Sequence, residues 1–214
     1  MGTLKNLLYI ARKELGNTES PAGSNKTKYG KWFGLDGNPW CMMFIMWCFY
    51  MAGVKLPKST GSCGDLMRAA QAAGWWVTAN FQPGDVVIYD FSGQRKTTQH
   101  CGIVELELPD YGVQAIEGNT STSGSQDNGG MVCRKNRAQK YIIGAVRPQF
   151  EQEKKEDDDM VTYKTLSDVP SWYKPAVQKV VNKGALKGTG GGQLNISEDM
   201  CRVLTVLDNL GKLD

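Results

Sequence analysis

One stretch of this 214-residue chain restricts its fold more than any other. From Cys41 to Ala52 it reads Cys-Met-Met-Phe-Ile-Met-Trp-Cys-Phe-Tyr-Met-Ala, without a charge. A surface helix keeps a polar face, and this run has none, so it predicts a central helix buried on all sides and closed by Gly53. The rest of the chain must therefore wrap it.

The flanking pattern supplies the wrapping. Residues 3–16 place Leu4, Leu7, Leu8, Ile10, Ala11 and Leu15 on one helical face, ending at Gly16. A polar stretch containing Gly and Asn runs on to Pro39, and Ser62–Ala73 reads as a third, amphipathic helix. The period then changes. Pro83-Gly84-Asp85 is a turn leading into Val86-Val87-Ile88-Tyr89, and further strands are predicted at 101–108, 112–117, 131–134 and 141–146. Helices followed by antiparallel strands indicate an α+β domain spanning 1–150. Residues 151–159, Glu-Gln-Glu-Lys-Lys-Glu-Asp-Asp-Asp, form an acidic linker that has nothing to bury. Beyond it, 160–214 carry helical patterns near 171–183 and 197–210. So small an all-helical module buries little, so a partner surface or an oligomer is expected.

Charge narrows the partners. The net +3 divides unevenly, with 16 basic and 11 acidic side chains in residues 1–150. That is too mild for nucleic acid but suits an anionic polymer. No apolar run reaches the ~18 residues of a membrane span. The first residues lack a secretion signature, so residence in the cytoplasm until release is expected. Six cysteines (41, 48, 63, 101, 133 and 201) include no Cys-x-x-Cys pair. They are expected to be reduced, although their even number formally permits a disulfide framework.

The chain has a single histidine, His100, so any Cys–His mechanism must use it. Among the thiols Cys41 fits best, because it opens the apolar helix, where free backbone N–H groups favour a thiolate. Cys48 lies mid-helix, in the position of an inert core thiol. His100 heads one predicted strand and Glu117 closes the next, with Asn119 just beyond, so adjacent strands can set His100 beside Glu117. Spacing alone leaves the structural alternative open, a core thiol and a strand histidine.

Four blocks in order carry a resemblance: Lys28-Tyr29-Gly30-Lys31-Trp32-Phe33-Gly34 with Pro39-Trp40-Cys41, then Gln82-Pro83-Gly84-Asp85-Val86-Val87, then His100-Cys101-Gly102-Ile103-Val104, then Ile116-Glu117-Gly118-Asn119-Thr120. Together they resemble the CHAP family, the cysteine, histidine-dependent amidohydrolase/peptidase domains of phage endolysins and bacterial autolysins. The resemblance covers about residues 5–148. It implies a papain-like α+β fold, Cys41 as nucleophile, His100 as general base and acid, Glu117 orienting the imidazole and Asn119 as a further polar active-site residue. It also implies an endolysin that cleaves an amide bond of peptidoglycan and lyses the host. A host autolysin and a non-catalytic wall-binding protein are the alternatives. Trp40 stands where many relatives carry a glutamine oxyanion donor. Some relatives bind calcium upstream of the cysteine, but here only Asp36 lies close, and Cys101, Cys133 and His100 lack paired zinc spacing. No metal and no cofactor are expected. Tyr29, Trp32 and Trp40 are candidates for lining a substrate groove.

The segment Leu166-Ser167-Asp168-Val169-Pro170-Ser171-Trp172-Tyr173, with Ala176, Val177, Val180 and Val181 at helical spacing, resembles one surface-layer-homology (SLH) repeat. Ser197 is a plausible helix N-cap there. The resemblance implies binding to a wall polymer; a helical dimerisation hairpin is the alternative. Lys155-Glu156-Asp157 can be encoded by a purine-rich, ribosome-binding-like sequence ahead of Met160. A free fragment starting at Met160 and joining the full chain in an oligomer is therefore a further expectation.

Overall fold

The computed structural model describes residues 2–109, 112–151, 161–188 and 191–213. The chain divides into two compact units, 1–152 and 153–214. Most of the acidic linker, and Met160 with it, lie outside the described residues.

The first unit opens with α1 (Leu4–Lys13), capped by Thr3, whose hydroxyl accepts from the Asn6 N–H. Next comes α2 (Lys28–Phe33), capped by Thr27 and stopped by Gly34 in the left-handed region. Helix α3 (Cys41–Ala52) follows, then α4 (Cys63–Ala72) with Ser62 as its N-cap. Six strands come after: β1 (Trp76–Val77), β2 (Val86–Tyr89), β3 (His100–Glu107), β4 (Val113–Thr120), β5 (Met131–Arg137) and β6 (Ile142–Val146). They form one antiparallel sheet in the order β1-β6-β2-β3-β4-β5. This is the α+β arrangement that the change of period announces.

Helix α3 is the hub. Met42, Met43, Phe44 and Ile45 are almost fully buried, and the helix packs on α1, α2, β3 and β4. Its apolar circumference is used as the sequence requires, except that Tyr50 and Met51 reach solvent at the C-terminal end. The sheet alternates accordingly. Val86, Ile88, Cys101, Ile103 and Ile116 join the helix-side core, while Val87, Tyr89, Val104, Val113 and Ala115 build a second core on the other face. Contact between α3 and β4 depends on Gly118. A Cβ there would lie 2.6 Å from Phe44 Cβ and 2.9 Å from Trp40 Cζ3.

Short elements of the first unit went unread in the sequence. Helix α2 spans six residues with a glycine inside, too short for a periodic signal, and β1 is two residues long.

The second unit comprises α5 (Lys174–Asn182) and α6 (Glu198–Asn209), plus a short ladder of β7 (Thr162–Tyr163) with β8 (Ile196–Ser197). That ladder adds to the helices expected from the pattern. Ser197 caps α6, its hydroxyl accepting from the Met200 N–H. The core is small: Val169, Ala176, Val177, Ile196, Cys201 and Leu204. Met200, Val203, Val206 and Leu210 are exposed along α6. Among the described residues no helix is long and apolar enough to cross a membrane.

Candidate active site

Cys41 is the first residue of α3, where backbone N–H groups have no partner inside the helix. No side chain caps this end. The sulfur therefore meets the positive end of the helix in a nearly closed setting, with Cys41 7% exposed.

His100 is the first residue of β3 and is fully buried. It pairs across the ladder with Tyr89, and their rings stack with centroids 6.0 Å apart. Phe91 covers another side at 5.9 Å. The imidazole Nε2 lies 3.1 Å from Glu117 Oε2, while Nδ1 is buried and makes no hydrogen bond. With Nε2 committed to the carboxylate, Nδ1 is the nitrogen available to the thiol. Cys41 is near enough to shift the proton affinity of the ring, and the ring that of the thiol.

Glu117, on β4, is buried without exposed surface. Its neighbour across the ladder is Gly102, where a Cβ would lie 2.7 Å from Glu117 Cγ. A bare backbone at 102 is thus what makes room for the carboxylate. The other partner of Glu117 is Arg137, at the end of β5. Its Nε donates to Oε1 at 2.8 Å, and its Nη2 donates to Oε2. Arg137 also donates to Gln126 Oε1 at 2.8 Å and lies over the Phe91 ring at 4.7 Å. The sequence reading missed it. Its pairing register with Val113 at the far end of β4 gave no sign that its long side chain runs back to Glu117.

These neighbours set the charge states. The Cys101 and Cys63 thiols, hydrogen-bonding to Cys41, and then His100 overcome burial and hold the Cys41 thiol well below its ordinary value. Burial alone would lower the His100 pKa, but Cys41 and Glu117 outweigh it and push the ring up to about 9. Burial likewise opposes the Glu117 charge, and Arg137 and His100 reverse that, keeping its carboxyl below the usual range. The three groups thus favour a thiolate, an imidazolium and a carboxylate in sequence.

The fold brings Cys41, His100 and Glu117 together, but Asn119 is tied elsewhere. It sits at φ +58° beside a register shift in β4, and its Nδ2 donates to Asn128 Oδ1 at 3.1 Å and Asp127 O at 3.4 Å. It orders the loop beyond β4 and makes no bond to the imidazole.

The aromatic residues also divide. Tyr29 and Trp40 are buried and stack at 5.3 Å within the core, so neither lines an open groove, contrary to the expectation for both. Tyr29 donates to Glu14, which Lys28 also pairs, and this buried network explains why so polar a stretch packs tightly. Trp32 is exposed. With Tyr50, Leu56 and Lys58 it lines a cleft of about 250 Å³ beside α3.

All six cysteines are free thiols. The sulfurs of Cys41, Cys63 and Cys101 lie within 4.8 Å of one another, a grouping that spacing along the chain could not reveal. The set of Cys101, Cys133 and His100 weighed for zinc does not assemble among the described residues.

A thiol at a helix start, a buried imidazole and a carboxylate locked by an arginine make up the donor set of cysteine acyl-transfer chemistry. Residues 33–119 match the family model described as CHAP domain. Cys41, His100, Glu117 and Asn119 all fall inside the matched stretch, and Arg137 lies beyond it. Among solved structures, a wild-type endolysin, LysIME-EF1, is similar with a TM-score of 0.45 and 16% identity, over 71% of this chain and 66% of that one. The chain therefore spans just under two thirds of that protein's length. No curated protein matches the sequence.

Proposed function

We propose that the protein is a peptidoglycan hydrolase of the endolysin type, cleaving an amide bond with Cys41 as nucleophile. The observation that carries this reading is the chain of contacts from Cys41 through His100 to Glu117, held by Arg137 and located in the CHAP-matched segment. The Cys41 thiolate attacks the amide carbon, and the oxygen of the tetrahedral intermediate meets the free backbone N–H of Cys41. The imidazolium gives its proton to the leaving amine. Water, deprotonated by the now neutral imidazole, then hydrolyses the thioester and restores the thiolate–imidazolium pair. Glu117 holds the ring in one orientation throughout and offsets its positive charge. Trp32, the one exposed member of the aromatic set, is the candidate for contact with the sugar–peptide polymer.

The reaction is either an N-acetylmuramoyl-L-alanine amidase or a peptidoglycan endopeptidase cut, and we assign the protein to phage-type lysis rather than to host wall turnover. The second unit acts in this reading as the wall-polymer anchor. Its thin core and the exposed stripe along α6 support association with another copy, or with a free fragment begun at Met160. Digestion of purified sacculi followed by mass spectrometry of the products tests the function. A new L-alanine amino terminus with a free lactyl carboxyl on muramic acid identifies the amidase cut, and a new amino terminus within the stem peptide or cross-bridge identifies the endopeptidase cut. Products unchanged from an undigested control, with folded and reduced protein, would refute the proposal.

A further inference from the structure

Two buried thiols that the proposed reaction does not consume stand beside the one it does. Cys63 opens α4 and Cys101 is the second residue of β3, so two helix starts and a strand converge at one point. The sulfurs of Cys41, Cys63 and Cys101 lie within 4.8 Å of one another, and no disulfide joins any pair. A tetrahedral ion holding thiolates at about 2.3 Å sets its sulfurs roughly 3.8 Å apart. The three are therefore near chelating separation without any rearrangement of the backbone. The cluster contains no carboxylate oxygen, which disfavours calcium and magnesium and favours a soft d10 cation. A buried ring nitrogen without a hydrogen bond, His100 Nδ1, adjoins Cys41 at the edge of the group.

We propose that Cys41, Cys63 and Cys101 form a binding site for a thiophilic cation, zinc in the first instance, and that occupancy silences the hydrolase. Binding is ligand exchange without redox change. The S–H bonds of Cys63 and Cys101 and the lone pair of the Cys41 thiolate give three metal–sulfur bonds. Two protons pass to solvent from the thiols, and a third leaves the His100 imidazolium when Nδ1 takes the fourth position. A zinc ion with three thiolates carries a net charge of −1 and keeps one position, which a water or His100 Nδ1 fills. The Cys41 lone pair is then committed to the metal and is withdrawn from the amide carbon. This last consequence rests on Cys41 being the nucleophile, whereas the site itself does not.

The test uses metal-free, reduced, full-length protein. It is titrated with zinc chloride against a chromophoric chelator, and separately with cobalt(II), whose sulfur-to-metal charge-transfer absorption reports thiolate ligation. One zinc per chain and a thiolate–cobalt spectrum are expected. Cys63→Ser and Cys101→Ser should each weaken zinc binding by at least about tenfold, the loss that even outer-sphere partners produce. Cys48→Ser and Cys133→Ser should bind as the parent does. Wall digestion, scored for each variant against its own metal-free rate, should fall with zinc occupancy and return on chelation. The cobalt spectrum of the parent needs no variant, so a misfolded serine variant cannot hide the answer. Absence of stoichiometric zinc, a cobalt spectrum without thiolate charge transfer, or affinity undiminished from the parent's in both serine variants overturns the proposal. Inactivation reversed by dithiothreitol and not by chelator also overturns it, because a disulfide would then explain the cluster. A three-thiolate site with one zinc and undiminished digestion would uphold the site and count against Cys41 as nucleophile.

Discussion

Replacing Arg137 with methionine isolates the part of the site that lies farthest from the chemistry. Glu117 is fully buried, and Arg137, whose side chain is 7% exposed, gives it two hydrogen bonds. Removing one partner of such a buried pair costs about 3–5 kcal/mol, because the remaining charge has no solvent to turn to. In a unit of this size each kcal/mol moves the unfolding midpoint by about 2–4 °C, so a fall of roughly 6–20 °C is expected by calorimetry at neutral pH. The pH dependence gives a second handle. In the parent the Glu117 carboxyl is held below its unfolded value, so its contribution to stability is present above that value and is lost as pH falls. In Arg137→Met burial prevails, and the carboxyl moves above its unfolded value. Its penalty then operates at neutral pH and is relieved on acidification. The gap in midpoint between parent and variant should therefore narrow as pH is lowered. A gap under about 2 °C at neutral pH, or one that widens in acid, would refute the role assigned to Arg137.

Other outcomes follow from the same contacts. Cys41→Ala and His100→Ala should each abolish wall digestion, measured as loss of turbidity, while circular dichroism shows the fold retained at the assay temperature; His100→Ala should also lower the thermal midpoint, because Glu117 loses a buried partner. Activity against pH should rise as Cys41 ionises, below the usual thiol range, and fall as His100 deprotonates near 9; in Glu117→Gln the alkaline limb should move to lower pH, because the carboxylate that raises the ring is gone. Gly102→Ala should lower the digestion rate more than it lowers stability, because its Cβ would displace Glu117 by collision with Cγ; urea unfolding beside digestion rates checks this. Gly118→Ala, which meets the backbone-proximal Cβ of Phe44, should cost about 1–3 kcal/mol in urea unfolding.

Periodicity and one composition break were enough to read the frame. The uncharged run at 41–52 has a single physical solution, and Val86–Tyr89 with the later strands falls into the sheet that covers it. His100 and Glu117 were legible as neighbours because they lie on consecutive strands that pair antiparallel, His100 at the start of β3 and Glu117 within β4. What the linear pattern concealed depends on long side chains or on convergence of distant segments. Arg137 reaches Glu117 by its own length, and Cys63 meets Cys41 and Cys101 only after α4 folds back. The aromatic residues show the opposite failure. Tyr29 and Trp40 were both marked for a groove, but Tyr29 on α2 and Trp40, the residue before α3, stack on each other in the core, where Tyr29 also meets Phe44 edge-on. Only the burial of Glu14 against Tyr29 discloses why.

The central claim is that the Cys41 sulfur carries a charge, held there by the Cys101 and Cys63 thiols and by the imidazole beside it. Ultraviolet thiolate absorbance against pH, taken as the difference between metal-free parent and Cys41→Ala, measures that charge directly. One thiolate titrating well below the ordinary thiol range, and moving upward in His100→Ala, is the predicted result. A Cys41 that ionises at or above the ordinary value, or that is indifferent to loss of the histidine, would contradict the account.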